Sequence, residues 1–311
     1  MKLRYAVASL IGISLVYAML LLVIDTRNPA LALLPEISRS LPVLLTCSLG
    51  SFILRYLRWR WLLIRAGHRI DWLKGFIAYS SGFAFTATPG KLGELLRIRY
   101  FARDHVPAET VIAAFVYERL FDLAAIALLS LPAALALGGT TIAFGFAAAI
   151  SALAIGLARH PRSIGWFARI AQQRGWRNIS RLLDTLARGL TGIFAWRRPV
   201  DFIVSFTTGL LAWSLTCGAF AYLLAQLGSP LSPAVSSSVY AVAMLAGAAS
   251  MIPGGLGSTE AAIVALLALS GMALGTAALS AVAIRIVTLW FAILLGVVSV
   301  SALEWLAARR A

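Results

Sequence analysis

The sequence predicts an all-α protein that crosses a membrane several times, and three features support this class. Hydrophobic residues make up 60% of the 311 residues, whereas charged residues make up only 13%. The mean hydropathy of +0.88 lies far above that of a soluble domain. Long apolar runs alternate with short basic segments, and an apolar run of ~20 residues spans a bilayer as a helix.

The apolar runs predict about six transmembrane helices. Their expected positions are 5–24, 40–57, 109–134, 141–158, 201–227 and 273–303. Six crossings place both termini on the same side of the membrane. The first run follows Lys2 and Arg4, but it is longer than the ~7–15-residue core of a signal peptide, so we interpret it as a membrane helix.

Two further apolar stretches, 75–88 and 236–252, each end in a Pro-Gly step. Proline lacks a backbone N–H and glycine favours a break, so neither stretch continues readily as a spanning helix. We interpret them as the first arms of two re-entrant helical hairpins, at about 75–102 and 236–270. The predicted architecture is therefore about six transmembrane helices plus two hairpins.

The formal net charge of +15 does not indicate nucleic-acid binding, because the basic residues flank apolar segments on one side. In this topology, 22 of the 27 Lys and Arg residues are cytoplasmic, including Arg97 and those from Arg55 to Lys74. The asymmetry follows the positive-inside rule. It predicts that both termini are cytoplasmic.

The cytoplasmic basic segment 159–200 has leucines at helical spacing between arginines. Two interpretations fit this pattern. The segment forms either an amphipathic helix that binds the anionic headgroups of the inner leaflet or a loop helix that packs on the protein.

A motif in the first half recurs in the second half. An arginine follows the glutamate of each copy after 25 residues, at Arg119 and Arg285. The two copies are Pro89-Gly90-Lys91-Leu92-Gly93-Glu94 and Pro253-Gly254-Gly255-Leu256-Gly257-Ser258-Thr259-Glu260. Each half contains three crossings and one hairpin, so the second copy enters the membrane from the opposite side. We therefore predict an inverted-topology repeat, 1–140 and 141–311, as in many secondary transporters.

Charged residues fall deep inside two predicted spans. At 1.5 Å per residue, Glu118 and Arg119 lie ~15 Å from the membrane interface, Asp122 lies slightly deeper, and Arg285 reaches a similar depth from the other side. A charge at this depth costs ~2.5–3.5 kcal/mol on insertion scales and is a functional candidate. These residues either bind a substrate or only hold the helices together. Arg119 and Asp122 are spaced for an ion pair within one helix.

The second arm of each hairpin is expected to begin near the bilayer midplane. Its free N–H groups and positive dipole end would bind phosphate. The candidate substrate-binding residues are Pro89, Gly90, Gly93, Glu94, Arg97, Glu118, Arg119, Asp122, Gly254, Gly255, Gly257, Ser258, Thr259, Glu260 and Arg285.

Several roles stay open for these hairpin residues. The glycines either admit a headgroup or only form turns, and Ser258 or Thr259 either caps the helix or donates to a phosphate. Glu94 and Glu260 are expected in the first turn of the second arms. There they are caps, counter-ions of the arginines or proton-binding sites.

No cofactor, metal site or catalytic motif is expected. Cys47 and Cys217 lie in apolar segments without disulfide or metal-ligand spacing, and the three histidines are scattered in loops. H-E-x-x-H, G-x-S-x-G and aspartate-rich diphosphate motifs do not occur. The sequence therefore argues against an enzyme, with an integral-membrane glycosyl- or prenyl-transferase as the alternative.

The segments TPGKLGELLR, YERLFDL, PGGLGSTE and AIRI resemble the flippase-like membrane-domain family that includes the membrane portion of lysylphosphatidylglycerol synthases. The likeness spans nearly the whole chain. It implies an inner-membrane protein that moves, or helps to handle, a lipid with a phosphate or sugar headgroup. An accessory role beside a lipid-synthesis enzyme is a further alternative. Since the sequence ends at Ala311 without the soluble transferase domain of the fused synthases, we expect no lysyl transfer.

Overall fold

The computed structural model describes residues 30–137, 170, 172–173, 177–250 and 252–309, and these ranges are helical without any strand. The α-helices are α1 (Leu34–Arg65), α2 (Trp72–Ser81), α3 (Arg97–Phe101), α4 (Ala108–Leu129), α5 (Leu131–Leu137), α6 (Arg177–Gly192), α7 (Pro199–Gln226), α8 (Pro233–Ala249), α9 (Ser258–Leu269) and α10 (Leu274–Ala308). Helix α10 contains a π-helical turn at Ile286–Trp290.

Three of the described helices, α1, α7 and α10, are long and apolar enough to cross a membrane. They correspond to the expected spans 40–57, 201–227 and 273–303, and α1 extends well beyond its expected span at both ends. The expected spans 5–24 and 141–158 lie outside the described residues. The all-helical membrane class is therefore confirmed, whereas the number of crossings stays a prediction.

The expected span 109–134 is divided in the structure. Helix α4 ends at Leu129, and α5 begins at Leu131 after a turn at Ser130. Pro132 explains the division, because proline has no N–H to donate to the carbonyl of Leu128, four residues earlier, and its ring crowds that carbonyl. The intramembrane charges of this span all lie in α4.

The helix is interrupted at both Pro-Gly steps. After α2 the chain forms the 3₁₀ turn Gly82–Phe85 and the 3₁₀ helix Pro89–Leu96. After α8 it forms the turn Pro253–Gly255, where Gly254 has a φ of 64° that favours glycine. Gly254 lies against Ala87, since a Cβ on Gly254 would be 3.2 Å from the Ala87 Cα. The two interruptions therefore contact each other, while their re-entrant path stays a prediction.

Helix α2 begins at a side-chain cap in the loop after α1. The backbone N–H of Lys74 donates a hydrogen bond to the Asp71 carboxylate at 3.0 Å. This bond lowers the pKa of the exposed Asp71 carboxyl below its usual range. The cap thus fixes where the chain turns back after α1.

Close helix contacts hold the interrupted segments in place. Helix α1 packs along α7, and α10 packs against α2 and Gly82–Phe85. A Cβ on Gly296 of α10 would collide with the backbone of Phe83 and Ala84. This glycine therefore lets α10 lie directly on the segment that follows α2.

The described part of the basic segment 159–200 packs on the protein. Gly189 and Gly192 of α6 lie against Ile112 and Ala113 of α4, too close for a larger side chain. Arg188 at the end of α6 donates to Glu109 at 2.9 Å. These contacts favour a loop helix that is packed on α4.

Candidate functional site

Helix α4 carries two buried carboxylates, Glu118 and Asp122, which are 1% and 3% exposed. They lie four residues apart, so both side chains leave the same face of the helix. Two ionised groups at this depth need cationic partners, because burying an unpaired charge is costly. The structure supplies those partners from α1 and from the segment that follows α2.

Helix α1 contributes Arg55 and Arg58, which sit three residues apart on one face. Arg58 donates to Asp122 at 2.7 Å and to Glu118 at 3.1 Å, and Arg55 donates to Asp122 at 2.8 Å. Arg58 is fully buried, with its guanidinium against Gly209 of α7, where a Cβ would crowd it. The network thus joins α1, α4 and α7.

The segment after α2 contributes Glu94 and Arg97. Arg97 is fully buried, lies 3.1 Å from the Glu94 carboxylate and 3.6 Å from that of Glu118, and donates to the Tyr79 carbonyl at 2.7 Å. Its guanidinium also stacks over the Tyr79 ring at 3.9 Å. Glu94 accepts a hydrogen bond from Thr86 at 2.9 Å. These contacts fold the interrupted segment onto α4.

Arg119 occupies a different position in the same network. Its guanidinium lies 3.2 Å from Asp122, 3.4 Å from Glu118 and 4.0 Å from Glu94. Its side chain is 21% exposed, whereas those of Arg58 and Arg97 are at most 1% exposed. Within the described part of the chain no hydrogen bond involves this side chain, and its Nε lacks a partner. Arg119 is therefore held by its ion pairs and by the Phe115 ring, which lies 5.5 Å from its guanidinium, without a hydrogen bond.

The second half supplies a smaller ion pair at the start of α9. Arg285 donates to Glu260 at 2.6 Å and to the Gly254 carbonyl at 2.6 Å. Glu260 also accepts a hydrogen bond from the Gly257 N–H at 2.7 Å, which caps α9. Arg285 thus ties the Pro-Gly turn to α10, directly before the π-helical turn. Such π turns occur often at functional sites.

A cavity of about 90 Å³ lies where the two halves meet. Its charged lining consists of Arg55, Glu94, Arg119 and Arg285. Hydroxyl and backbone groups complete the polar wall at Ser48, Ser51, Thr86, Thr216, Tyr240, Thr288 and Gly254. A single water needs roughly 10–15 Å³ by this measure, so the space fits several waters or a small group such as a phosphate.

The structure brings together most of the residues proposed from the sequence. Glu94, Arg119, Gly254 and Arg285 line the cavity, and Arg97, Glu118, Asp122 and Glu260 contact these residues. Pro89 and Gly90 begin the 3₁₀ helix Pro89–Leu96.

The hairpin glycines have separate roles. A Cβ on Gly93 would collide with Phe85, so Gly93 serves close packing. Gly255 and Gly257 adopt positive φ angles of 64° and 83°, so they serve the turn. None of these three glycines lines the cavity.

Neither Ser258 nor Thr259 caps α9, because the cap is the bond from Gly257 to Glu260. Ser258 donates to the Gly255 carbonyl and pairs with Ser250. The Thr259 hydroxyl is buried, without a hydrogen-bond partner among the described residues.

Two expectations from the sequence were wrong. Arg55, Arg58 and Arg97 are not exposed basic residues that flank the membrane helices, because they are at most 8% exposed and bind the carboxylates of α4. The side of the membrane on which they lie stays a prediction. Glu94 lies in a 3₁₀ helix and not in the first turn of an α-helix, because regular helix resumes only at Arg97. Glu260, by contrast, occupies the first turn of α9 as expected.

The matched interval from glutamate to arginine has a structural counterpart in each half. Glu94 and Arg119 lie 4.0 Å apart, and Glu260 and Arg285 lie 2.6 Å apart. The other charges of the first half are not repeated. At the offset that relates Glu94 to Glu260, the positions of Arg97, Glu118 and Asp122 are occupied by Ile263, Ile284 and Thr288. The inverted repeat itself stays a prediction.

Comparison with known proteins yields one match. The family described as the lysylphosphatidylglycerol synthase TM region matches residues 6–296, which is nearly the whole chain. No curated protein and no solved structure matches significantly. Among the described residues no group of His, Cys, Asp and Glu side chains is arranged to hold a metal ion.

Proposed function

This chain belongs to the family of the lysylphosphatidylglycerol synthase transmembrane region, and from that premise we propose that it moves an anionic lipid between the two leaflets. The family match and the apolar helices make it a multi-pass membrane protein. In the proposal the phosphate or sugar-phosphate headgroup enters the cavity between the halves. The lipid tails remain in the surrounding bilayer.

The observation that carries the proposal is the composition of the cavity wall. Three arginines, Arg55, Arg119 and Arg285, reach one cavity from three helices, α1, α4 and α10. A guanidinium binds phosphate oxygens through paired N–H groups, so several arginines around one cavity suit a phosphate. If the charges served only to join helices, they would not need to surround an open space.

The proposed path uses the two interrupted segments. Interrupted helices at matching places of two inverted halves mark the substrate site of many transporters, which rock one half against the other. We place the protein in the inner membrane with both termini cytoplasmic, following the distribution of basic residues. In this proposal the contact of Ala87 with Gly254, which lines the cavity, changes as the halves rock.

Reconstitution into vesicles tests the proposal. The purified chain is incorporated into vesicles together with headgroup-labelled lipids. A membrane-impermeant quencher then reports how fast the labelled lipid moves from one leaflet to the other. We expect movement of lipids with an anionic phosphate headgroup above the rate of protein-free vesicles. Vesicles that show no such movement for any anionic phosphate headgroup would refute the function.

The same vesicles separate transport from chemistry. After the assay the lipids are extracted and their masses are measured. A transporter returns the lipid unchanged. A lipid whose mass changes by a transferred sugar or prenyl group would instead identify a transferase.

A further inference from the structure

The charges around the cavity do not balance. The larger cluster contains four arginines, Arg55, Arg58, Arg97 and Arg119, and three carboxylates, Glu94, Glu118 and Asp122. The ion pair of Arg285 with Glu260 adds no net charge to this count. Among the described side chains, the buried network therefore carries one surplus positive charge.

The surplus belongs to Arg119. The other three arginines of the cluster have hydrogen bonds to carboxylates, carbonyls or hydroxyls. Arg119 has ion-pair contacts and lies over the Phe115 ring at 5.5 Å, but it has no hydrogen bond in the described part of the chain, and it is the most exposed of the four. It also lines the cavity. An anion in the cavity would reach Arg119 without breaking a hydrogen bond.

From this imbalance we propose that the cavity takes a headgroup with one net negative charge, which is a phosphodiester without an added cation. This inference rests on the anion site of the proposed function and specifies its substrate class. One negative charge neutralises the cluster, and buried charges are stable only when they are compensated. The lipid phosphodiester contacts Arg119, and Arg55 and Arg285 also line the cavity that holds it.

Two other classes of headgroup fit less well. A phosphomonoester carries about −1.5 to −2 charges at pH 7, so it would leave a buried negative charge. A zwitterionic headgroup brings a cation as well. The carboxylates that could receive this cation are already bound by arginines, Asp122 by Arg55 and Arg58, and Glu94 by Arg97.

A binding measurement tests the inference without requiring lipid movement. The purified chain in lipid nanodiscs binds a fluorescent phosphatidylglycerol at pH 8, where a monoester is close to its doubly charged form because its second pKa is about 6. Unlabelled phosphatidylglycerol, phosphatidic acid and phosphatidylcholine with the same acyl chains then compete. We expect phosphatidylglycerol to compete about tenfold better than either of the others.

Changing the charge of the cluster should change the preference. Glu118→Gln and Glu94→Gln each raise the surplus to two positive charges, so phosphatidic acid should become the better competitor in whichever of the two variants folds. The matched control is Asp201→Asn, because Asp201 is also fully buried but pairs with Arg65 at 2.9 Å and does not line the cavity. This control should keep the wild-type preference.

The outcomes separate this inference from the proposed function. A wild-type protein that binds phosphatidic acid at least as tightly as phosphatidylglycerol would overturn the single-charge site. An unchanged preference in a folded Glu118→Gln or Glu94→Gln variant would also overturn it. Equal competition by soluble glycerophosphoglycerol would show that the ligand is not a lipid. The predicted preference without lipid movement would refute the flippase function and keep the site.

Discussion

Replacing Arg58 with glutamine should destabilise the fold, because this guanidinium joins three helices in a fully buried position. The change removes its hydrogen bonds to Asp122 at 2.7 Å and to Glu118 at 3.1 Å. It also removes the long contact of 3.4 Å to the Ser205 carbonyl of α7. Asp122 then keeps only Arg55 as a partner on α1 among the described contacts. Glu118 loses the one described partner that it has on α1.

The size of the loss follows from what remains. Breaking a buried ion pair from one side costs about 3–5 kcal/mol. Because Arg55 and Arg119 stay beside Asp122, and Tyr79 still donates to Glu118 at 2.7 Å, the lower end of this range applies. At roughly 2–4 °C per kcal/mol for large domains, about 3 kcal/mol lowers the Tm by roughly 6–12 °C.

The assay is thermal unfolding of the purified protein in detergent, with Arg119→Gln as the matched control. Arg119 belongs to the same cluster but has no hydrogen bond among the described residues and carries the surplus charge. Its replacement should therefore lower the Tm by much less than that of Arg58→Gln. An Arg58→Gln variant as stable as the wild type, or two variants that are equally destabilised, would refute this account of the network.

Three further predictions concern other parts of the molecule. Arg285→Lys should fold normally but move lipid at a rate well below the wild type, since lysine keeps the charge and loses the planar fork that suits phosphate; normal movement would count against a phosphate contact. Gly296→Ala should lower the Tm, because its Cβ would collide with Ala84, whereas Gly218→Ala meets open space and should not; equal Tm values would contradict the packing of α10. In a cysteine-free background, an impermeant thiol reagent applied outside should label Ser229→Cys but not Arg69→Cys, and the reverse pattern would overturn the topology.

The long apolar helices could be predicted from the sequence because membrane insertion depends on local composition. The expected spans 201–227 and 273–303 agree closely with α7 and α10. The interruptions at Pro89 and Pro253 were also predictable, since proline and glycine act on the backbone locally. The end of α4 at Leu129 was missed, although Pro132 marks it.

The composition of the site was only half predictable. Glu118, Arg119 and Arg285 stand out because charges inside apolar runs are rare. Arg55 and Arg58 lie in the sequence Arg55-Tyr56-Leu57-Arg58-Trp59-Arg60, which has the composition of a membrane flank. Arg55 and Arg58 are three residues apart, and Glu118 and Asp122 are four apart, so each pair lies on one face of its helix. This pairing of two basic with two acidic residues is the signal that could have identified the arginines.

The pairing within the cluster depends on tertiary contacts that no local pattern contains. Sequence spacing predicts the contact of Arg119 with Asp122, but Asp122 also binds Arg55 and Arg58 on another helix. Likewise, Gly93 was expected either to admit a headgroup or to form a turn, but it is needed for close packing against Phe85. These features arise when α1 and the segment after α2 fold onto α4.

Lipid movement by a double variant tests the central claim most directly. Arg119→Gln and Arg285→Gln together remove one arginine from each half of the cavity wall. The variant is reconstituted with labelled phosphatidylglycerol, and its rate is normalised to the amount of monodisperse protein in the vesicles. We expect a rate close to that of protein-free vesicles. Movement at the wild-type rate by the folded double variant would contradict the proposed headgroup site.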